Sequence, residues 1–203
     1  MKLLREILYK VEINSVVGNT SLSINKIEFD SRLISDGDLY IAITGVNVDG
    51  HSFISQAIKN GANCIVCEKI PDNKTDGVVY VNVKSSRKAL AIISSNYFDN
   101  PSSKLNLIGV TGTNGKTTIA TLLFDLYTEL EIKSGLISTV KISYDNKNFQ
   151  ANQTTPDSLS INRFLSEMVN SNVRYCFMEV SSHGIDQNRT DGLVFKGGIF
   201  TNL

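Results

Sequence analysis

The sequence has neither a net charge nor a long apolar run. Its 20 Lys and Arg residues balance its 20 Asp and Glu residues, so the formal charge at pH 7 is zero. No stretch approaches the roughly 20 apolar residues that a membrane-spanning helix needs. A balanced chain has no overall field that would attract nucleic acid or an anionic membrane. We therefore predict neither of these partners and look for function at particular sites.

Cysteine is scarce and odd in number, with three residues in the chain. The segment from Met1 to Leu8 predicts an amphipathic helix rather than a signal peptide, because Glu6 interrupts its apolar positions. Both features favour a reducing, cytoplasmic location. Cys64 and Cys67 form a C-x-x-C pair within an apolar strand pattern, where residues three apart point to opposite faces. We interpret them, and Cys176, as core thiols rather than as a metal or disulfide site.

Strand and helix patterns predict an α/β unit in the first hundred residues. Predicted strands lie at 27–30, 38–43, 64–67 and 78–83, and predicted helices at 51–60 and 86–97. The turn-rich segment at 99–103 then predicts a domain boundary, which divides the chain into 1–100 and 101–203.

Beyond this boundary the patterns alternate regularly. Predicted strands lie at 105–110, 136–140, 175–180 and 197–200, and predicted helices follow position 115 and span 157–170. The first of these helices has an apolar set formed by Ile119, Leu122, Leu123, Leu126 and Leu130. Such alternation predicts a mainly parallel sheet flanked by helices, with ligands bound at the carboxyl ends of the strands.

A glycine-rich loop connects the strand pattern at 105–110 to the helix that follows. Its residues are Gly112, Thr113, Asn114, Gly115, Lys116, Thr117 and Thr118. The glycines allow backbone conformations in which successive N–H groups face a polyphosphate at the positive end of the helix. Lys116 would add a mobile charge, and Thr117 a hydroxyl suited to Mg²⁺. Val110 stands where the general pattern has its first glycine, so we predict a compact phosphate loop; a purely structural glycine loop is the alternative.

Polar residues follow the predicted strand at 175–180. Glu179 lies near the end of this strand, where a carboxylate beside a phosphate loop is suited to bind Mg²⁺, directly or through water. An ordinary surface acid is the alternative. His183 could be a general base or a polar packing residue, and a lone histidine leaves both possibilities open.

Several short segments together resemble the Mur ligases of peptidoglycan synthesis. They are the loop at 112–118, Thr154-Thr155-Pro156-Asp157, the run 178–183 followed by Gln187 and Arg189, and, upstream, Asp30-Ser31-Arg32 with 37–40. The loop alone would also suit folate-type ligases, whereas E-V-S-S-H with an upstream D-S-R is more specific. The resemblance covers nearly the whole chain. It implies an α/β fold with a small uridine-nucleotide-binding domain at 1–100, followed by a mainly parallel P-loop ATPase domain at 101–203 that is cut short.

The resemblance also implies roles for individual residues. It implies contacts to the UDP part of the substrate from Phe29, Ser31, Val46, Asn47 and Val48. It implies that the muramoyl peptide and its diphosphate are bound by Gln153, Thr154, Thr155, Ser181, Gln187 and Arg189, although many relatives have asparagine in place of Gln153. The loop from Gly112 to Thr118 would bind ATP, Thr117 and Glu179 would bind Mg²⁺, and the catalytic residues would be Lys116, Glu179 and His183.

The implied reaction is ATP-driven amide formation. The terminal carboxylate of UDP-MurNAc-L-Ala-D-Glu would accept the γ-phosphoryl group, and a diamino acid, diaminopimelate or lysine, would attack the acyl phosphate through its amine. The family continues with a metal-binding histidine, a carbamylated lysine and a third domain. We therefore expect this chain to be an N-terminal, monomeric fragment that binds ligands without completing catalysis. Another P-loop ligase or kinase, or a non-catalytic nucleotide-binding module, remains an alternative.

Overall fold

The chain folds into two compact units. A computed structural model describes residues 1–45, 48–151 and 153–203, and the units are Met1–Tyr97 and Phe98–Leu203. Each unit contains a largely parallel sheet with helices, which confirms the predicted α/β class. Within the described ranges, no helix combines the length and the apolar character needed to cross a bilayer.

The first unit is built on a five-stranded sheet of order β2-β7-β6-β5-β4. Its elements are β1 (Lys2–Leu3), α1 (Leu4–Ile7), β2 (Ile13–Val17), β3 (Ser23–Ile24), β4 (Ile27–Glu28), β5 (Asp38–Ile41), α2 (Ile54–Lys59), β6 (Ala62–Cys67), β7 (Val79–Val83) and α3 (Ser86–Tyr97). Strands β4 to β7 are parallel, and β2 is antiparallel to β7 at one edge. Short 3-10 turns at Ser31–Leu33 and Gly50–Phe53 precede β5 and α2.

The helix at the start of the chain is shorter than the predicted segment from Met1 to Leu8. Lys2 and Leu3 form β1, which pairs with β3, and only Leu4–Ile7 are helical. The side chain of Asn96 on α3 donates hydrogen bonds to the carbonyls of Ile7 and Tyr9 at 2.9 and 2.6 Å. Tertiary partners thus satisfy carbonyls that a longer helix would have used.

The prediction of core thiols is confirmed. Cys64, Cys67 and Cys176 are free and buried. Burial disfavours the thiolate and raises the pKa of Cys67 to about 11. These side chains therefore pack as small apolar groups.

The second unit has a six-stranded sheet of order β11-β10-β9-β12-β8-β13. Its elements are β8 (Asn106–Thr111), α4 (Lys116–Glu129), β9 (Ser134–Ile137), β10 (Lys141–Tyr144), β11 (Lys147–Gln150), α5 (Ser158–Asn170), β12 (Tyr175–Glu179), α6 (Ser182–Asp186) and β13 (Gly197–Phe200). Strands β9, β12, β8 and β13 are parallel, whereas β10 and β11 form an antiparallel hairpin. A further 3-10 turn spans Pro101–Ser103.

Alternate residues of the parallel strands fill two cores on opposite faces of this sheet. Leu107 and Met178 pack with residues of α5, while Val110 and Phe177 pack with residues of α4. In the parallel register of β12 and β8, Glu179 pairs with Val110. The carboxylate of Glu179 and the loop that follows β8 therefore lie at the same edge of the sheet.

The predicted helix after the loop is present as α4, but its predicted apolar face is only partly correct. Ile119 and Leu123 pack against the sheet, together with Phe124 and Tyr127, which the prediction omitted. Three other members of the predicted set are instead more than half exposed, namely Leu122, Leu126 and Leu130. Two apolar stripes run side by side on this helix, and the stripe with the aromatic residues faces the core.

Candidate active site

The predicted phosphate loop lies between β8 and α4, as its sequence indicates. Gly112 and Gly115 have φ angles of +131° and +81°, a region that side chains disfavour. Val110 is fully buried within β8, so the strand itself occupies the position of the missing glycine. The side chain of Lys116 folds over the loop, and its Nζ donates to the carbonyls of Gly112 and Thr113 at 2.7 and 3.0 Å. The basic group is thus held at the mouth of the loop.

Glu179 is fully buried at the end of β12 and accepts three hydrogen bonds. The hydroxyls of Thr117 and Thr139 donate to its Oε2 at 3.0 and 3.1 Å. The backbone N–H of Thr139 donates to Oε1 at 2.8 Å. The loop, the segment after β9 and the end of β12 therefore converge on one carboxylate, and Thr139 is a member that sequence reasoning missed.

The pair formed by Thr117 and Glu179 fits the oxygen ligands that Mg²⁺ prefers. Their oxygens are 3.0 Å apart, and two adjacent ligands of an octahedral Mg²⁺ at about 2.1 Å are separated by about 3.0 Å. The part of the chain that the structure describes contains no group of three His, Cys, Asp or Glu residues that could hold a metal. The donor set therefore fits an ion that takes one carboxylate, one hydroxyl and the phosphate oxygens of a nucleotide, rather than an all-protein metal cage.

Thr155 and Ser181 connect this carboxylate to α6. The hydroxyl of buried Thr155 donates to the Glu179 carbonyl at 3.0 Å and accepts from the Ser181 N–H at 2.9 Å. Ser181 caps α6, since its Oγ accepts from the Gly184 N–H at 3.1 Å. A Cβ at Gly184 would lie 2.8 Å from the Cβ of Thr155, so glycine permits the close approach. Thr154 joins the same network, because its hydroxyl oxygen lies within hydrogen-bond distance, 3.1 Å, of the Thr139 hydroxyl oxygen.

We expect Thr155→Val to lower the free energy of unfolding of the second unit by about 1–3 kcal/mol, because it leaves the partly buried Ser181 N–H without its acceptor and the buried Glu179 carbonyl without its hydroxyl donor. Urea denaturation, with hydrogen exchange to assign the loss to this unit, would measure the effect. Thr121→Val on α4 is the matched control, since the Thr121 hydroxyl has no hydrogen bond to any described residue. Its free energy of unfolding should stay within about 0.5 kcal/mol of that of the unchanged chain. Equal stability of the two variants would contradict the prediction.

Arg189 gathers several of the predicted substrate residues into one cluster. Its guanidinium donates to the Gln153 side chain and to the Thr155 carbonyl, each at 2.5 Å. It also donates through Nη2 to the side chain of Gln187 at 2.7 Å. The cluster presents a cation and amide groups beside the hydroxyls of Thr155 and Ser181. Such groups are suitable donors for carboxylate or phosphate oxygens.

The predicted uridine-nucleotide residues lie in the first unit. Phe29 follows β4 and is partly exposed, while Ser31 is buried in the adjacent 3-10 turn. Asp30 caps this turn and forms a bidentate pair with Arg32, at 2.9 and 2.7 Å. The hydrogen bonds from Arg32 hold the pKa of the Asp30 carboxyl below its usual value. These contacts fix the D-S-R turn and the positions of its neighbours.

The second predicted uridine-nucleotide segment is described only at one end. Val48 is 56% exposed, and its carbonyl accepts from the Gly45 N–H at 2.9 Å. The predicted contacts Val46 and Asn47 lie outside the described residues.

Among the described residues, no hydrogen bond joins His183 to the other predicted catalytic residues. It lies on α6, its side chain is exposed, and the structure gives the ring no hydrogen bond within the described residues. By contrast, Thr201 and Asn202 contact the phosphate loop although no sequence pattern pointed to them. Their separation of 87 and 88 positions from Asn114 explains why local patterns gave no signal.

Two family models match the chain. The model described as "Mur ligase family, catalytic domain" matches residues 23–98, and the one described as "Mur ligase middle domain" matches residues 110–203. Two curated relatives are named UDP-N-acetylmuramoyl-L-alanyl-D-glutamate–2,6-diaminopimelate ligase. The relative from Cytophaga hutchinsonii is 48% identical over 201 residues, covering 98% of this chain and 41% of the relative. The relative from Clostridium tetani is 45% identical over 202 residues, covering 98% of this chain and 42% of the relative.

Solved structures show the same fold. A structure of a UDP-N-acetylmuramoyl-L-alanyl-D-glutamate–2,6-diaminopimelate ligase superposes with a TM-score of 0.79 at 22% identity, covering all of this chain and 40% of that one. MurF ligase from Thermotoga maritima in complex with ADP gives a TM-score of 0.53 at 25% identity, covering 78% of this chain and 32% of that one. The chain therefore spans about two fifths of the length of the curated relatives it matches.

Proposed function

Since this chain belongs to the Mur ligase family, we propose that it supplies the substrate-binding and ATP-binding parts of a cytoplasmic, ATP-dependent ligase of peptidoglycan synthesis. The ligase would join a diamino acid to UDP-MurNAc-L-Ala-D-Glu. Sequence reasoning left lysine and diaminopimelate open, and the names of the relatives favour 2,6-diaminopimelate.

One observation carries the proposal. The buried carboxylate of Glu179 lies 3.0 Å from the Thr117 hydroxyl, which belongs to the phosphate loop. A buried carboxylate that has hydroxyl and amide donors, rather than a basic side chain, can receive a divalent cation without first breaking an ion pair. This arrangement supports binding of a nucleotide with Mg²⁺, and a relative with ADP bound supports the choice of nucleotide.

In the proposed reaction, the protein binds and orients the reactants. Lys116 would donate to the β- and γ-phosphates, and the free N–H groups at the start of α4 would donate hydrogen bonds to the remaining phosphate oxygens. Thr117 and Glu179 would hold Mg²⁺, which supplies charge neutralisation on the transferring phosphoryl group. An oxygen of the substrate carboxylate would bond to the γ-phosphorus as the bond to ADP breaks. The amine would then attack the acyl carbon, lose a proton and displace phosphate.

The second cluster would hold the acceptor substrate near this phosphoryl group. Arg189 lies with Gln153 and Gln187, and Thr155 links the cluster to the Glu179 end of β12. A guanidinium that donates to an anion makes a charge-assisted hydrogen bond, which adds both affinity and orientation. Orientation of the carboxylate toward ATP is then the main catalytic contribution of these residues.

Equilibrium binding tests the proposal on the 203-residue chain. Calorimetry should detect UDP-MurNAc-L-Ala-D-Glu, and a fluorescent ADP analogue should bind in the presence of Mg²⁺. Arg189→Gln should weaken binding of the UDP substrate roughly tenfold or more, as expected for loss of charge-assisted hydrogen bonds. Arg174→Gln, an exposed arginine in the same unit, is the matched control.

The outcomes separate the proposal from its alternatives. Nucleotide binding without binding of the UDP substrate would contradict it and would favour a different P-loop ligase or kinase, for which a folate substrate is the natural comparison. If the chain bound neither the nucleotide nor the UDP substrate, a non-catalytic module would be favoured. Equal effects of the two arginine variants would contradict the assigned role of Arg189.

A further inference from the structure

The two residues that follow β13 make four hydrogen bonds to the phosphate loop. The Asn202 side chain accepts from the Asn114 N–H at 3.0 Å and donates to the Asn114 carbonyl at 3.2 Å. The Thr201 hydroxyl donates to the same carbonyl at 2.6 Å, and the Asn202 carbonyl accepts from the Thr113 N–H at 3.3 Å. The side chain of Asn202 thus pairs with Asn114 as a neighbouring strand would.

These contacts divide the N–H groups of the loop into two sets. The N–H groups of Thr113 and Asn114 are occupied by Asn202. In the ranges that the structure describes, those from Gly115 to Thr118 have no protein acceptor, and the first helical bond comes from the Ile119 N–H to the Gly115 carbonyl at 2.9 Å. Unpaired N–H groups at a helix start are the donors that bind phosphate.

The Asn114–Gly115 peptide lies at the border between the two sets. In a trans peptide the C=O and N–H groups point in opposite directions. Because Thr201 and Asn202 both hold the Asn114 carbonyl, the Gly115 N–H must point away from them, toward the open side of the loop. Gly115 and Gly112 both have positive φ angles. Glycine permits the flipped orientation of the Asn114–Gly115 peptide as readily as the observed one. Without the two donors, the Asn114 carbonyl could rotate toward the phosphates and repel them.

We propose that Asn202, assisted by Thr201, is a positioning residue that fixes the orientation of the Asn114–Gly115 peptide for nucleotide binding. This inference rests on the proposed nucleotide site and assigns a role to residues outside the loop. Asn202 does not contact the nucleotide in this scheme. It determines which backbone groups do.

Hydrogen exchange tests the proposal without a ligand. In Asn202→Ala, the amide of Asn114 loses its acceptor and should exchange faster than in the unchanged chain. In Asn202→Asp, the carboxylate still accepts from this amide, so its protection should persist while the contact to the Asn114 carbonyl is lost. Asn170→Ala, which replaces an exposed asparagine at the end of α5, is the control and should leave the exchange rate of the Asn114 amide unchanged.

Binding of a fluorescent ADP analogue provides the second measurement. Asn202→Ala should weaken it roughly tenfold, and Thr201→Val, which removes only the other donor to the Asn114 carbonyl, should weaken it in the same direction. Melting temperatures of both variants should stay close to that of the unchanged chain, since the affected loop is at the surface. A purely structural role would instead shift melting and leave affinity unchanged.

The results distinguish failure of this inference from failure of the proposed function. Faster exchange at Asn114 with unchanged ADP affinity would overturn the positioning role and leave the nucleotide site in place. Unchanged exchange in Asn202→Ala would also overturn it. If the unchanged chain did not bind the ADP analogue, both the inference and the proposed function would be overturned.

Discussion

Replacing Glu179 by glutamine is expected to remove the effect of Mg²⁺ on nucleotide binding without unfolding the chain. Glutamine has nearly the same shape, and its carbonyl can still accept from the Thr139 N–H. The hydroxyls of Thr117 and Thr139 can rotate to accept from the new amide, because a hydroxyl both donates and accepts. The substitution therefore removes the negative charge that a divalent cation needs and leaves most hydrogen bonds in place.

The measurement is the affinity for a fluorescent ADP analogue with Mg²⁺ and with EDTA. In the unchanged chain we expect Mg²⁺ to tighten binding by roughly tenfold or more, and in Glu179→Gln this ratio should fall to about one. Glu129→Gln, an exposed acid at the last position of α4, is the matched control. A Mg²⁺ effect of equal size in Glu179→Gln would contradict the assignment of Glu179 as a metal ligand.

The second large effect on nucleotide binding is expected from Gly112→Ala. A Cβ at this position would lie 2.2 Å from the Thr201 hydroxyl oxygen and 2.8 Å from the Asn202 carbonyl oxygen, and the φ angle of +131° is also unfavourable. Either the loop or the segment after β13 must move, and both contribute to the phosphate loop. We expect loss of ADP binding by roughly a hundredfold or more, because steric and conformational costs add.

Two other glycines provide graded controls for this steric argument. At Gly115 the φ angle is +81°, but an added Cβ would be no closer than 3.9 Å to other atoms. Gly115→Ala should therefore cost only backbone strain, of about 1–2 kcal/mol. At Gly198 the nearest atom is 3.9 Å away without a positive φ angle, so Gly198→Ala should bind ADP normally. Equal affinities of the alanine variants at 112 and 198 would contradict the close contact with Thr201.

The features that sequence predicted best are encoded locally. The glycine-rich loop at 112–118 follows from its glycines and from the strand and helix beside it, and the helix predicted at 157–170 begins where Asp157 accepts from the Ser160 N–H at 2.8 Å. The helix at 86–97 was predicted at its observed bounds, because its pattern and flanking residues agree. Such signals are complete within a few residues of sequence.

The features that sequence missed depend on distant partners. Thr139 is 40 positions from Glu179, and its role appears only when β9 and β12 pair. The buried face of α4 was ambiguous because two apolar stripes have the same period, and only the sheet decides between them. The strand β2 and the short helix α6 also gave no clear pattern. The roles of the individual site residues toward ligands remain predictions, since they depend on molecules that the fold alone does not contain.

The pairing of Glu179 with Val110 has a consequence for how such proteins diverge. Backbone hydrogen bonds between β12 and β8, rather than particular side chains, fix the height of the carboxylate relative to the loop. Substitutions that conserve volume in either core can therefore accumulate without moving the carboxylate. A one-residue shift of the strands, in contrast, would turn Glu179 to the other face at once. The fold tolerates wide sequence change, since a solved structure that is 22% identical to this chain superposes with a TM-score of 0.79.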